Sequence, residues 1–349
     1  MLPSSARAFR AFCLFLLGAL LAGGSLRAEL VWSPGTGWRI EGGVLSGLIG
    51  DDARKATELM NKARLSEERR DLGSAAKAYE NVGKRYNNSV FAPEAYYRAA
   101  RMRLERQQYF KAYENFQQVL TRYPSYGRFT EIVGEQYRIA SALLDGARNR
   151  IWGIIPGFPN REKAIEFFEI LIATAPYSDY APLALMNVAR AHQRLGNDEE
   201  AIDALDRMIN IYPQSLLAPD AYIKLAQTHA SLVEGPNYDQ GSTKEAITYF
   251  EDFMILFPSD SNVGSAEKGL GQMKETLAES KMRIADFYFY KRSNYQAARV
   301  FYNEAITVYP DSTTAAKARE QLVKVEAAAA AAGAAGAAGQ PAKKRFLFF

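Results

Sequence analysis

Chemistry in this chain of 349 residues has few side chains to start from: two histidines, His192 and His229, and one cysteine, Cys13. A zinc site needs three or four nitrogen, sulfur or oxygen ligands. Neither histidine has carboxylates at ligand spacing, so no metal is expected. Each histidine follows a small residue, Ala189 or Ala226, by three positions on an apolar stretch, where packing accounts for it better than acid–base work. Gly42-Gly43 and Gly333-Ala-Ala-Gly336 lack both the Gly-Lys-Ser/Thr ending and the strand-to-helix setting of a phosphate loop. No catalytic residue and no cofactor is therefore expected, and the chain reads as a non-enzymatic protein.

The spacing that does carry chemistry belongs to arginines. Arg64, Arg101 and Arg190 share one position of a recurring pattern, whose other members are Ala142, Gln227 and Phe287; Arg98, Arg138 and Arg194 lie nearby. Spaced guanidinium forks beside Met60, Tyr97 and Met186 suit an extended peptide that offers a carboxylate and aromatic side chains. The candidate groove is Arg64, Tyr97, Arg101, Met186 and Arg190. The competing reading is a set of solvated arginines on helix faces.

Such a register requires repeated elements, and the sequence has them. Ala112 and Pro124 are twelve apart, as are Ala164 and Pro176, Ala201 and Pro213, Ala246 and Pro258, Ala298 and Pro310; Ala75 and Asn87 stand in the same relation. Four residues after each alanine comes Tyr79, Phe116, Phe168, Leu205, Phe250 or Tyr302. Small and large residues at i and i+4 share a helix face and let two helices pack closely, and the proline ends the helix. A second amphipathic stretch precedes each copy, for example at Ala95, Glu135, Ala184 and Ala221. The unit is a helix pair, similar to the tetratricopeptide repeat. The expected fold class is all-α: a tetratricopeptide-repeat α-solenoid, a superhelical array of about six helix pairs over 51–325. Successive proline positions are 37, 52, 37, 45 and 52 apart, so three units carry insertions. The first, Asn149 to Asn160, reads as an apolar loop with two Pro and two Gly; the second is Glu234 to Ser242. Inserted loops of this kind serve either function or packing.

Composition agrees with a folded, exported chain. Hydrophobic residues make up 48% and charged residues 23%, too apolar for a disordered chain. The formal charge of +4 owes three cations to Arg7, Arg10 and Arg27, and the nearly neutral remainder is no nucleic-acid binder by bulk charge. Arg7 and Arg10 precede an apolar run from Ala11 to Ala22 and small residues up to Ala28. The run is shorter than the roughly 20 residues of a membrane span and reads as a signal peptide over 1–28, cleaved between Ala28 and Glu29. Residues 29–50 set Trp32 and Trp38 about a Pro-Gly-Thr-Gly turn, which reads as an N-terminal hairpin that packs on the first repeats or on a partner.

The last unit is the most specific stretch. Leu277-Ala278, then Ala285, Phe287 and Tyr288, then Arg292, Tyr295, Ala297-Ala298 and Tyr309-Pro-Asp-Ser312 resemble the terminal repeats of the BamD family, the periplasmic repeat component of the outer-membrane barrel-assembly machinery. The resemblance implies a scaffold at the inner face of the outer membrane that acts in assembly and insertion of β-barrel proteins. By the same resemblance its partners are the barrel-assembly core protein and nascent outer-membrane proteins; contact with the outer-membrane surface is expected from the C-terminal tip described below, and none with nucleic acid from the bulk charge. The alternative is a generic periplasmic repeat scaffold in envelope or division complexes. Family members usually carry a lipidated Cys at the mature N-terminus, where this chain has Glu29. Phe287, Tyr290 and Arg292 form a candidate partner patch, because an aromatic run on a helix turns some of its rings outward. Residues 326–349 read as an Ala/Gly-rich disordered tail whose tip, Lys343, Lys344, Arg345, Phe346, Leu347, Phe348 and Phe349, is a candidate anchor. Cations followed by large apolar residues fit an anionic bilayer face or an aromatic-binding groove.

Overall fold

The computed structural model describes residues 29–41 and 51–338. Residues 1–28, expected to be a signal peptide ending at Ala28, residues 42–50 and the tip from Lys343 to Phe349 lie outside the described residues. In chain order the elements are β1 (Glu29–Ser33), β2 (Gly37–Glu41), α1 (Asp51–Glu68), α2 (Leu72–Arg85), α3 (Phe91–Glu105), α4 (Tyr109–Arg122), α5 (Phe129–Leu144), β3 (Arg148–Ile151), β4 (Ile155–Pro159), α6 (Arg161–Thr174), α7 (Tyr180–Leu195), α8 (Asp198–Ile211), α9 (Ala218–Ser231), α10 (Gly241–Leu256), α11 (Val263–Asp286), α12 (Tyr295–Val308) and α13 (Thr313–Ala338). The chain divides into two compact units, Met1–Ala184 and Leu185–Phe349, with the boundary inside α7.

The even-numbered helices from α2 to α12 carry the alanine anchors. Ala75, Ala112, Ala164, Ala201, Ala246 and Ala298 are buried, as are Tyr79, Phe116, Phe168, Leu205, Phe250 and Tyr302 one turn later. Each of these helices stops at the residue before the proline or its equivalent: Tyr86, Tyr123, Ala175, Tyr212, Phe257 and Tyr309 have φ between −146° and −122°, well off the helical value. Small residues let helices approach, and a Cβ on Gly83 would meet the Tyr96 ring at 2.7 Å.

The turns inside the pairs follow one rule. Arg70 (φ 61°), Gln107 (φ 55°), Gly196 (φ 77°) and Ser293 (φ 49°) adopt left-handed conformations five residues before an anchor alanine. In the two pairs whose helices are separated by an insertion, the left-handed residues after the first helix are Gly146 and Gly235. The next residue returns its N–H to the end of the preceding helix, Asp71 to Ser66, Gln108 to Arg103 and Asn197 to His192, which is the Schellman closure. The side chains of Asp71 and Asn294 then cap the next helix through the N–H groups of Ser74 and Ala297.

Two segments differ from the sequence expectation. Asn149–Asn160 is not a loop: most of it lies in the antiparallel hairpin β3–β4, with Ile151 opposite Ile155 and a register shift between Arg148 and Arg150. Trp152 and Gly153 both have positive φ (55° and 77°), the geometry a tight hairpin turn requires. The segment 326–338 is not a disordered tail but the end of α13. Alanine has the highest helix propensity, and isolated glycines such as Gly333 and Gly336 cost only about 1 kcal/mol each in a helix that is already nucleated. Among the described residues no helix is long and apolar enough to cross a membrane.

Candidate interaction surfaces

In the first unit, α1 and α3 carry Arg64, Tyr97, Arg98 and Arg101. Arg64 pairs with Glu67 at 3.0 Å and Glu68 at 3.2 Å, and its guanidinium lies 4.7 Å over the Trp32 ring. Arg98 pairs with Glu94 at 2.6 Å and Glu67 at 3.2 Å, 4.8 Å over Trp38. Burial works against the charge of Arg98, but Glu94 and Glu67 outweigh it and hold its pKa above the ordinary value. The Tyr79 hydroxyl donates to Glu67 at 2.7 Å, and burial with that nearby carboxylate pushes its pKa up. Arg101 approaches Glu131 at 3.8 Å and donates to the Tyr97 hydroxyl at 3.3 Å. The Tyr97 hydrogen bond and the Arg128 guanidinium hold Glu131 below the usual carboxylate range.

These contacts change the reading of the arginine register. Arg64 is not an open fork: its donors face two carboxylates of its own helix, and Trp32 covers it. Met60 is fully buried beneath Trp38, in a cluster with Ala56, Ala63, Tyr79, Val82, Tyr86, Phe91, Ala95 and Ala99. The N-terminal hairpin therefore occupies the surface assigned to a peptide at the first repeat. Trp32 stands opposite Trp38 in the hairpin register, and Asn61 accepts the Trp38 backbone N–H at 2.7 Å. Tyr97 is buried, while Arg101 stays half exposed. Met186 and Arg190 belong to the second unit; Arg190 is exposed and has bonded contacts of its own.

In the second unit the aromatic run Phe287–Lys291 is a π-helical turn rather than a continuation of α11. The wider turn leaves Phe287 and Tyr290 exposed, while Tyr288 stacks on Phe301 at 5.6 Å. Arg292 lies 5.5 Å over the Phe287 ring, and the Tyr290 hydroxyl donates to Gln321 at 2.8 Å. Beside this patch a cleft of about 720 Å³ is lined by Arg292, Tyr295, Arg299, Val325 and Glu326, among others. The His229 ring stacks on Tyr249 at 5.4 Å, and burial holds its pKa below the ordinary 6.5. Among the described residues no group of three or more His, Cys, Asp or Glu is placed to hold a metal ion.

Two features escaped the sequence reading. One is the β3–β4 hairpin, which projects Trp152, Ile154 and Phe158 into solvent. Its signal was available as Trp-Gly between Arg-Asn-Arg-Ile and Ile-Ile-Pro-Gly-Phe-Pro, hidden by the absence of strict alternation. The other is a buried polar network. Arg103 forks onto Glu80 at 2.8 and 2.9 Å and donates to Gln108 at 2.9 Å, and Asn115 donates to Glu80 at 3.0 Å. Nothing in spacing identifies that network, because its members come from three helices and the turn between two of them.

Helix pairs closed by alanine and proline anchors, with outward surfaces, define a tetratricopeptide-repeat scaffold. The tetratricopeptide-repeat family matches residues 94–126. A second family, YfiO, described as outer membrane lipoprotein, matches residues 159–340, just over half of the chain. This protein belongs to that family, the BamD family. Solved structures similar to it include MamA (residues 41 to the end) from Desulfovibrio magneticus RS-1, 16% identical over 61% of this chain and 99% of that one, with a TM-score of 0.29. A thermophilic TPR protein of Thermus thermophilus is 18% identical over 62% and 98%, with a TM-score of 0.29. PilW, a type IV pilus biogenesis factor, is 19% identical over 77% and 99%, with a TM-score of 0.25. No curated protein matches.

Proposed function

We propose that this protein is a non-enzymatic periplasmic scaffold that acts, at the inner face of the outer membrane, in the assembly and insertion of β-barrel proteins. Its proposed partners are the barrel-assembly core protein and nascent outer-membrane proteins. The observation that carries this reading is the family match over 159–340, which includes Arg292 and the exposed Phe287 and Tyr290. Those three residues are the proposed contact for the core protein, since exposed aromatic rings beside a guanidinium make strong protein contacts. The register of Met186 and Arg190 is proposed as a second contact, for peptide. The tip from Lys343 to Phe349 is proposed as an anchor toward the membrane or an aromatic-binding partner.

Co-purification from detergent-solubilised envelopes tests the reading. The barrel-assembly core protein is expected with the tagged chain. Recovery of cell-wall or division factors alone would replace barrel assembly with a general envelope scaffold.

A further inference from the structure

An insertion that holds large apolar side chains in water calls for something that covers them. Trp152 is 72% exposed, Ile154 73% and Phe158 93%, and Ile151 and Ile155 are each about half exposed. We propose that the Arg148–Pro159 hairpin is a membrane-contact device whose exposed apolar side chains enter the headgroup boundary of an anionic phospholipid bilayer, with its flanking arginines on lipid phosphates.

Charge is the first argument. Residues 148–163 carry Arg148, Arg150, Arg161 and Lys163 against a single acid, Glu162. Arg148, Arg150 and Arg161 have no ion pair among the described residues. A guanidinium donates two parallel hydrogen bonds to a phosphate, and basic charge near an anionic surface adds to apolar insertion. Tryptophan is a residue of membrane interfaces, where its ring meets the acyl boundary.

The backbone supplies the second argument. The hairpin is tied down at its base and at its turn: the Arg150 N–H donates to the Gln107 carbonyl at 2.9 Å and the Phe110 N–H to Asn149 Oδ1 at 3.1 Å, while Arg106 donates to the carbonyl of the turn residue Trp152. A preformed hairpin loses little freedom on inserting its exposed side chains. Pro156 and Pro159 lie on β4 and have no N–H to donate, so that strand is a poor template for a strand of another chain. The hairpin therefore offers side chains rather than a sheet edge, and its exposed apolar groups run from Trp152 and Ile154 at the turn to Phe158 near the base. This suits a bilayer better than a protein ridge. The inference stands apart from the barrel-assembly reading, because it concerns a different insertion and a lipid.

The test uses the full chain without its signal segment and vesicles of phosphatidylcholine with about 30% phosphatidylglycerol, against phosphatidylcholine alone. Sedimentation should show binding to the anionic vesicles that weakens with salt. Replacing Ile154 and Phe158 together by Ser should weaken it about tenfold or more, as should Arg148→Gln with Arg150→Gln; circular dichroism checks that helix content is kept. Lipids brominated on their acyl chains should quench tryptophan fluorescence in the parent chain and much less in Trp152→Phe. That readout separates the hairpin from the tip at 343–349, which has no tryptophan. Vesicle binding unchanged by the Ser pair, or quenching unchanged by Trp152→Phe, would overturn the proposal. So would hairpin variants that keep vesicle binding but lose an envelope protein, which would make the hairpin a protein-docking site.

Discussion

At the residue scale the decisive group is Arg103, which is buried yet charged. A guanidinium out of water is tolerated only when its donors are met. Glu80 and Gln108 meet them, and Asn115 supports Glu80 from the next helix. Glu80→Ala should therefore destabilise the first unit by about 3–5 kcal/mol, since it strands the partner charge; thermal unfolding of the variant would read this. The pH dependence follows in sign. Burial is the largest influence on Glu80 and raises its pKa, but hydrogen bonds from Arg103 and Asn115 outweigh it and hold the carboxyl below its ordinary 4.5. The stability this adds is fully present above pH 4.5 and is lost as pH falls below 4.5 through the lowered folded value. Acid titration of unfolding in the parent and in Glu80→Gln should show the parent losing more between neutral pH and the acid limit.

At the scale of elements, most of the local structure was legible because it follows short-range rules. Alanine against aromatic at i and i+4, with proline twelve after the alanine, specified α2, α4, α6, α8, α10 and α12 closely. The left-handed turn five residues before the anchor was hidden, because Arg70, Gln107 and Ser293 are not the glycine that this conformation favours. Ser293→Gly should raise the stability of the second unit by about 0.5–1 kcal/mol, read as a higher unfolding midpoint. The N-terminal hairpin makes the complementary case. Two strands alone are marginal, so its place depends on Trp38 in the Met60 and Tyr79 cluster. Trp38→Ala should cost about 3–5 kcal/mol and expose the α1 and α3 surface to added dye or protease. If stability and protease sensitivity are unchanged, the hairpin does not cover that surface in solution.

At the scale of the whole molecule, the exposed aromatic patch falls on the unit that holds most of the family match. Replacing Phe287 and Tyr290 by Ala should reduce recovery of the core protein in the envelope co-purification several-fold with helix content unchanged; equal recovery would move the contact elsewhere. The anchors, the helix stops and the terminal aromatic run sufficed by themselves for the repeat class and the family, because each depends on residues close to one another along the chain. The fate of the arginines could not be read that way. Arg64 and the neighbouring Arg98 lie on α1 and α3, yet Glu67, Glu94 and the two tryptophans of a distant hairpin consume their charge. The apolar insertion likewise read as a loop until pairing across its turn placed Trp152, Ile154 and Phe158 in solvent. Pairing of charges and burial of rings depend on which segments meet in space, and local spacing does not encode that.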